Sequence, residues 1–257
     1  MHTTKAEIIR TENCSEQIYD QHCHTDFEIL FVLAGSIRLN LEGEQLTLQE
    51  NTGIVIEPLK YHIVTGNNSR YHRLVLTFSP ESVPEAVYDR FLSSIQTNAM
   101  FEAESISRLL IKFGTVLEQD DQTFAPLLQA MLTEALYSLA FENTTPVAEN
   151  VNKRSHRLKQ IISFVDRNLH REITLEDIAA QLYMSQSALC HMFREEMNIS
   201  LKQYILQKKM MYAKSLLQKG TAPGIAATLC GYKNYASFYK IFQKVTGQTP
   251  GQIQAEE

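Results

Sequence analysis

No stretch of this chain holds eighteen consecutive apolar residues, and its opening, MHTTKAEIIR, is too polar for a signal peptide. A membrane span and a secretory leader are therefore not expected, which makes the cytoplasm the expected compartment. Cysteine is sparse: Cys14, Cys23, Cys190 and Cys230 contain no CxxC pair. That spacing excludes zinc fingers, and the low density excludes a disulfide scaffold, leaving reduced and mostly buried thiols as the expectation. What is present is ordinary for globular protein: 257 residues, 44% hydrophobic and 21% charged, enough for two domains with separate cores.

The formal charge of −5 is unevenly spread. From Lys153 to Glu257 there are 15 Lys and Arg against 8 Asp and Glu, a balance of +7; the remaining 9 against 21 leave residues 1–152 at −12. A basic module joined to an acidic one suggests that only the C-terminal part meets a polyanion, because phosphate neutralisation supplies most non-specific DNA affinity. Charge asymmetry alone is common, so this carries weight only beside other features.

From residue 17 to about 78, short runs such as FEILFVLAG, IRLNLEG, EQLTLQE and GIVIEP alternate apolar and polar positions between Gly, Pro and Asn, the pattern of an antiparallel sheet or barrel. From Pro84 the apolar spacing lengthens to three and four, predicting helices. Leu109, Leu110, Phe113, Val116 and Leu117 form a stripe too broad to leave in water, suited to a dimer interface or to packing on the sheet. ENTTPVAENVNKRS has no periodicity and reads as a linker, followed by the amphipathic helix HRLKQIISFVDRNLH. The expected organisation is a domain over 1–142 (strands about 15–80, helices about 83–141), a linker over 143–155 and a helical domain over 156–257.

The helical part contains an internal repeat. Ala179, Leu182, Met184, Leu189, Phe193, Asn198 and Ser200 are matched by Ala227, Cys230, Tyr232, Phe238, Phe242, Gly247 and Thr249, at offsets of 48 and then 49. Each copy reads as helix, tight turn, helix. Thr174 and Asp177 form a capping box for the first helix, Ser185 suits the N-cap of the second, and Asn198 or Gly247 suits its left-handed stop. Small Ala at 179 and 227 lets the helices cross closely, as a helix-turn-helix requires. Opposite the buried stripe lie Ser187, His191 and Arg194, and in the second copy Ala236, Lys240 and Gln243, groups of a kind that read a major groove. Between the copies, SLKQYILQKKMMYAKSLLQKG predicts a helix of about nineteen residues, roughly 28 Å, which could hold two reading helices about one duplex turn apart. Its Lys208, Lys209 and Lys214 are expected to be solvated or to meet phosphates.

LEDIAAQLYMSQSALCHMF and GYKNYASFYKIFQKVTGQTP resemble the two units of the AraC/XylS DNA-binding domain, over about eighty residues from Ile173 to Ile253. The resemblance implies base-reading positions at Ser187, Cys190 and His191, and at Tyr235, Ala236, Ser237 and Lys240. Pro223, Lys209 and Gln243 depart from that family's pattern. Pro223 is compatible with a first helical turn.

In the N-terminal half, His22, His24, Glu28 and Gly35 resemble the first cupin motif, and Gly53, Pro58 and His62 resemble the second with one residue missing. The implied fold is α+β in two domains: a cupin-like β-barrel with trailing dimerisation helices, then an all-α domain of two helix-turn-helix units joined by a long helix. Three imidazoles and a carboxylate suit a transition metal such as iron or manganese. The attached DNA-binding half asks for a sensor rather than turnover. It therefore favours a pocket that holds an organic effector, a sugar or another metabolite, by hydrogen bonds, without metal or cofactor. Tyr19 and Arg38, with Phe27 and Tyr61, are candidate lining residues for that pocket. The resemblance implies double-stranded DNA, RNA polymerase and a second copy of the chain as partners, and no membrane. The alternative is a metal-dependent cupin enzyme, an isomerase or dioxygenase, with a helical appendage.

Overall fold

The computed structural model describes residues 5–11, 22–66, 70–95, 100–102, 108–109, 111–112, 125–141 and 155–255. Among the described residues its N-terminal part holds eight strands: β1 (Lys5–Thr11), β2 (Phe27–Ala34), β3 (Ser36–Leu41), β4 (Glu44–Gln49), β5 (Thr52–Ile56), β6 (His62–Gly66), β7 (Tyr71–Phe78) and β8 (Met100–Glu102). All pairings are antiparallel, in a five-stranded sheet β1-β7-β2-β5-β8 and a three-stranded sheet β4-β3-β6.

The closed barrel expected from the alternating pattern is not what the described strands form. No ladder among the described residues joins the small sheet to the large one; the nearest approach to closure is an isolated bridge from His22 to His62 on the β6 edge. β2 is buried along six successive residues rather than at alternate ones, so the sheets and helices stack as layers about it. Phe27, Ile29 and Phe31 turn to one side, where Leu74, Leu76 and Phe78 of β7 join them under helices α1 (Glu85–Ile95) and α2 (Ala125–Phe141). Leu30 and Val32 turn to the other side and meet Ile37, Leu39, Leu46, Leu48 and Val64 of the small sheet. A sheet covered on both faces is the middle layer of a stack, and the helices hold the face that a free barrel would give to water. Leu109 packs into the helix-side core; Leu110, Phe113, Val116 and Leu117 lie outside the described residues.

The C-terminal part is seven helices: α3 (His156–Arg167), α4 (Leu175–Gln181), α5 (Gln186–Met197), α6 (Leu201–Gln218), α7 (Pro223–Leu229), α8 (Tyr235–Thr246) and α9 (Pro250–Ala255). The repeat is visible as α4–α5 and α7–α8, with Leu189, Phe193, Phe238 and Phe242 at zero exposure. Both hydrogen bonds of the Thr174–Asp177 capping box form, Ser185 accepts from Ala188 N–H, and Asn234 takes the matching role before α8. Asn198 (φ 58°) and Gly247 (φ 74°) end α5 and α8 in the left-handed conformation. Pro223 occupies the first turn of α7, where its missing N–H costs nothing. Ser155 ties the entry of α3 to the end of α5, its hydroxyl donating to Glu196 at 2.6 Å. Residues 142–154, where the linker is expected, lie outside the described residues.

Lys208 and Lys209 correct the expectation of solvated lysines, since they are 1% and 6% exposed. Lys209 Nζ donates to the carbonyls of Arg171 and Cys230, closing the second unit onto the loop before α4. Lys208 meets the N-terminal domain. The β3–β4 hairpin turns through Glu42 (φ 52°) and Gly43 (φ 87°), both left-handed as a two-residue hairpin loop demands. Its tip enters the helical core: a Cβ on Gly43 would collide with Leu158 of α3 and crowd Met197 of α5. Cys23 and Tyr61 complete the contact from the sheet side, packed in the same core cluster as Leu158, Phe193 and Tyr204.

Candidate DNA-reading and effector sites

On α5, Ser187, His191 and Arg194 are exposed and Cys190 is half-buried; on α8, Tyr235, Ala236, Ser237 and Lys240 are exposed. In both units these positions lie away from the buried stripe, Leu189, Phe193 and Met197 in α5 and Phe238 and Phe242 in α8, as helical spacing requires. His191 Nδ1 stands 3.3 Å from Glu195 on the same helix, and both are solvated, so little energy binds the imidazole there. Tyr235 rests tilted near Phe238, with centroids 6.0 Å apart. Between the units runs an open cleft of about 720 Å³, lined by Gln186, Lys202, Lys209, Lys233 and Asn234 among others. Tyr183 is 97% exposed in the α4–α5 turn, with φ 53°.

His22, His24, Glu28 and His62 come together, with one ligand atom from each within 4.8 Å of the others. Glu28 sits on the face of β2 that carries Leu30 and Val32, and His62 on the face of β6 that carries Val64, so these two lie at the margin of the core between the sheets while His22 reaches solvent. The imidazoles are oriented from outside the cluster. His24 Nδ1–H donates to the Asp26 carbonyl at 2.8 Å and His62 Nδ1–H to the Lys60 carbonyl at 3.0 Å. Each therefore presents Nε2 to Glu28 Oε2, at 3.0 Å from His24 and 3.6 Å from His62. Burial alone would raise the pKa of Glu28, but the hydrogen bonds from His24 and His62 outweigh it and hold the carboxyl well below its ordinary range. Burial works against a charged His24 too; its bonds to Glu28 and Asp26 prevail and raise its pKa.

These donors fit a transition-metal ion: three imidazoles and one carboxylate at short mutual distances, with two rings fixed by backbone carbonyls, the usual outer support of a metal-ligating histidine. The other candidate pocket residues fall elsewhere. Arg38 is exposed on the outer face of β3, because Ile37 and Leu39 take the inner one. Phe27 belongs to the helix-side core and Tyr61 to the helical domain. Tyr19 lies outside the described residues.

Behind the cluster is a second buried polar group that sequence reasoning missed. Glu42, 1% exposed, accepts from Tyr61 N–H at 2.8 Å and from the Tyr204 hydroxyl at 3.2 Å, and faces Lys208 Nζ at 3.1 Å. Lys208 also meets Asp166 at 2.8 Å and donates to the Leu59 carbonyl at 2.6 Å. Burial opposes the charge on Lys208, yet Glu42 and Asp166 outweigh it and raise its pKa. Burial, with Glu42 beside it, holds the Tyr204 hydroxyl well above the usual phenol value, and burial pushes the Cys23 thiol up to about 12. A signal for this group was available: Leu201, Tyr204 and Ile205 put residue 208 on the apolar stripe of α6, where a lysine needs a buried partner.

A sheet domain with an inward-facing ligand cluster, joined to two helix-turn-helix units, defines a DNA-binding regulator with a sensor domain. Residues 5–149 match the model of the AraC-like ligand binding domain, and residues 178–256 match that of a helix-turn-helix domain. The chain belongs to the AraC family of transcription regulators, and that family is one of regulators rather than enzymes. It is 23% identical over 243 residues to the probable transcriptional regulator LumQ of Photobacterium leiognathi, covering 91% of each chain. Over 159 residues it is 25% identical to the transcriptional activator RhaR of an Enterobacter species, covering 62% of this chain and 55% of that one. The crystal structure of ToxT from Vibrio cholerae aligns over 98% of this chain and 96% of that one, at 13% identity and a TM-score of 0.41. Among the described residues no helix is long and apolar enough to cross a membrane.

Proposed function

We propose that this regulator reads DNA bases with Ser187, Cys190, His191 and Arg194 of α5 and with Tyr235, Ala236, Ser237 and Lys240 of α8, under control of an effector received between the two sheets. The observation that carries the reading is the pair of like-built helices, each with a largely exposed row opposite a buried stripe: Leu189, Phe193 and Met197 in α5, Phe238 and Phe242 in α8. The cleft lysines Lys202 and Lys233, the latter 3.6 Å from Glu172, support contact with the phosphates between two grooves. The effector site centres on His22, His24, Glu28 and His62, within a sensor domain of residues 1–142; residues 143–155 link it to the DNA-binding domain of 156–257.

The chain acts in the cytoplasm as a homodimer that engages RNA polymerase at the promoter. Support for a dimer through residues 83–141 comes from α2, whose Tyr137 and Phe141 are stacked at 4.3 Å yet about half exposed, with Leu127 exposed nearer its other end.

His191→Ala and Lys240→Ala are each expected to weaken binding to DNA fragments captured from the genome by about tenfold, the loss expected for one base contact, while leaving the thermal transition in place. Unchanged affinity in both variants would remove the proposed reading surface.

A further inference from the structure

The ligand cluster and the docking contact are two faces of the same two short segments. In the first, Cys23 stands between His22 and His24 and points into the helical core, while its neighbours point into the cluster. In the second, Tyr61 precedes His62: the imidazole faces Glu28, and the phenol ring packs edge-on against Tyr204 with centroids 5.5 Å apart. The two segments are bonded to each other, His22 N–H to the His62 carbonyl at 3.1 Å and His62 N–H to the His22 carbonyl at 2.9 Å. The Tyr61 peptide is in turn bonded to Glu42 in both directions: Tyr61 N–H donates to the carboxylate and Glu42 N–H to the Tyr61 carbonyl, each at 2.8 Å. From that carboxylate the next contacts are Lys208 and Tyr204 of α6, the helix that joins the two DNA-reading units. One peptide unit thus separates a ligand of the cluster from the polar contact that seats the sensor on the DNA-binding domain.

Resting on the sensor reading above, we propose that the cluster takes a divalent first-row transition-metal ion, and that its occupancy is passed to the DNA-binding domain through Tyr61 and Glu42 to Tyr204 and Lys208 of α6. The donor chemistry selects the ligand class. Two rings are already turned by backbone carbonyls to offer Nε2, a third imidazole stands with its centroid 4.6 Å from that of His62, and the carboxylate is buried among them. Four donors converging within 4.8 Å, three of them imidazole nitrogens, match the coordination shell of one ion more closely than the spread-out hydrogen bonds of an organic molecule. A metal ion draws the four donors towards one point, and the His62 ring is tethered through Nδ1–H to the Lys60 carbonyl, so its shift pulls on the Lys60–Tyr61 peptide whose N–H meets Glu42.

The test uses the full chain stripped with a chelator and then given Zn²⁺, Ni²⁺ or Mn²⁺. Calorimetric titration is expected to give one ion per chain for at least one of these, with affinity falling at least tenfold in His62→Ala. Hydrogen exchange in α6, over Tyr204–Met211, is expected to change at least threefold on loading the wild type. In Glu42→Gln and in Tyr204→Phe, each of which keeps side-chain volume, metal affinity is expected to stay within about twofold while the α6 response is lost. A chain that binds none of the ions overturns the site, and if it binds an organic metabolite instead, the sensor reading survives without the metal. Metal bound with no change in wild-type α6, or with the full change retained in both variants, overturns the relay.

Discussion

Lys208 holds a charge at a place where helical spacing calls for an apolar side chain, and its partners come from two domains. Removing one member of a buried ion pair costs about 3 kcal/mol or more, because the other stays behind uncompensated. Lys208→Met should therefore lower stability by about 3 kcal/mol in urea denaturation. The double variant with Glu42→Gln should lose clearly less than the sum of the two single changes, and additive losses would show that the two residues do not act as a pair. Tyr183 presents the opposite case, a bulky side chain in the left-handed region with almost no contacts to hold it. Tyr183→Gly is expected to raise the stability of the helical domain by about 1 kcal/mol, read from the same denaturation curves. Arg38 shows what parity alone decides: Ile37 and Leu39 face inward, so the residue between them faces out, and its assignment to the effector pocket could have been withdrawn from IRLNL by itself.

At the level of elements, the helical repeat was legible because its signals are local. Caps, the 3.6-residue period and the left-handed stops all lie within a few residues of the helix they define, and every one of the caps at Thr174, Ser185 and Asn198 is found in place. Phe193→Ala and Phe242→Ala should each cost about 3 to 5 kcal/mol, measured by thermal unfolding, since both rings are fully buried. A loss under about 1 kcal/mol in either would contradict the account of the unit's core. The sheets were legible as strands but not as an architecture. Alternation tells which side of a strand is buried; it does not tell whether two ladders join or stack, nor that β2 is buried on both sides. The hairpin tip was invisible for another reason: Glu42 meets Tyr204 across 162 residues, and nothing local in LEGE announces a partner so distant. What LEGE does show is a Glu-Gly pair at a turn that favours Asn or Asp before Gly, a substitution that makes sense once the carboxylate is seen to reach α6.

For the whole molecule, the sensor docks on α3, α6 and the C-terminal end of α5, and leaves the exposed rows of α5 and α8 open. Docking and the proposed DNA reading thus use different faces of one helical domain, an arrangement that would let an effector alter how the helix-turn-helix units are held without occupying the DNA face. The basic segment from Lys153 onward has its own core and caps, so it is expected to fold alone, as a monomer that binds one half-site. The full chain is expected to bind paired sites at least about a hundredfold more tightly, because its second contact is made at high effective concentration. A response to effector requires a differential preference between two arrangements of the domains, and the fragment lacks the domain that would express it. The most direct measurement is affinity for genome-captured DNA at fixed salt, for the full chain and for residues 153–257, each with and without added Zn²⁺, Ni²⁺ or Mn²⁺ and a panel of metabolites. The account predicts tighter, effector-dependent binding by the full chain and weaker, unresponsive binding by the fragment. A fragment that matched the full chain in affinity and in every response would contradict it.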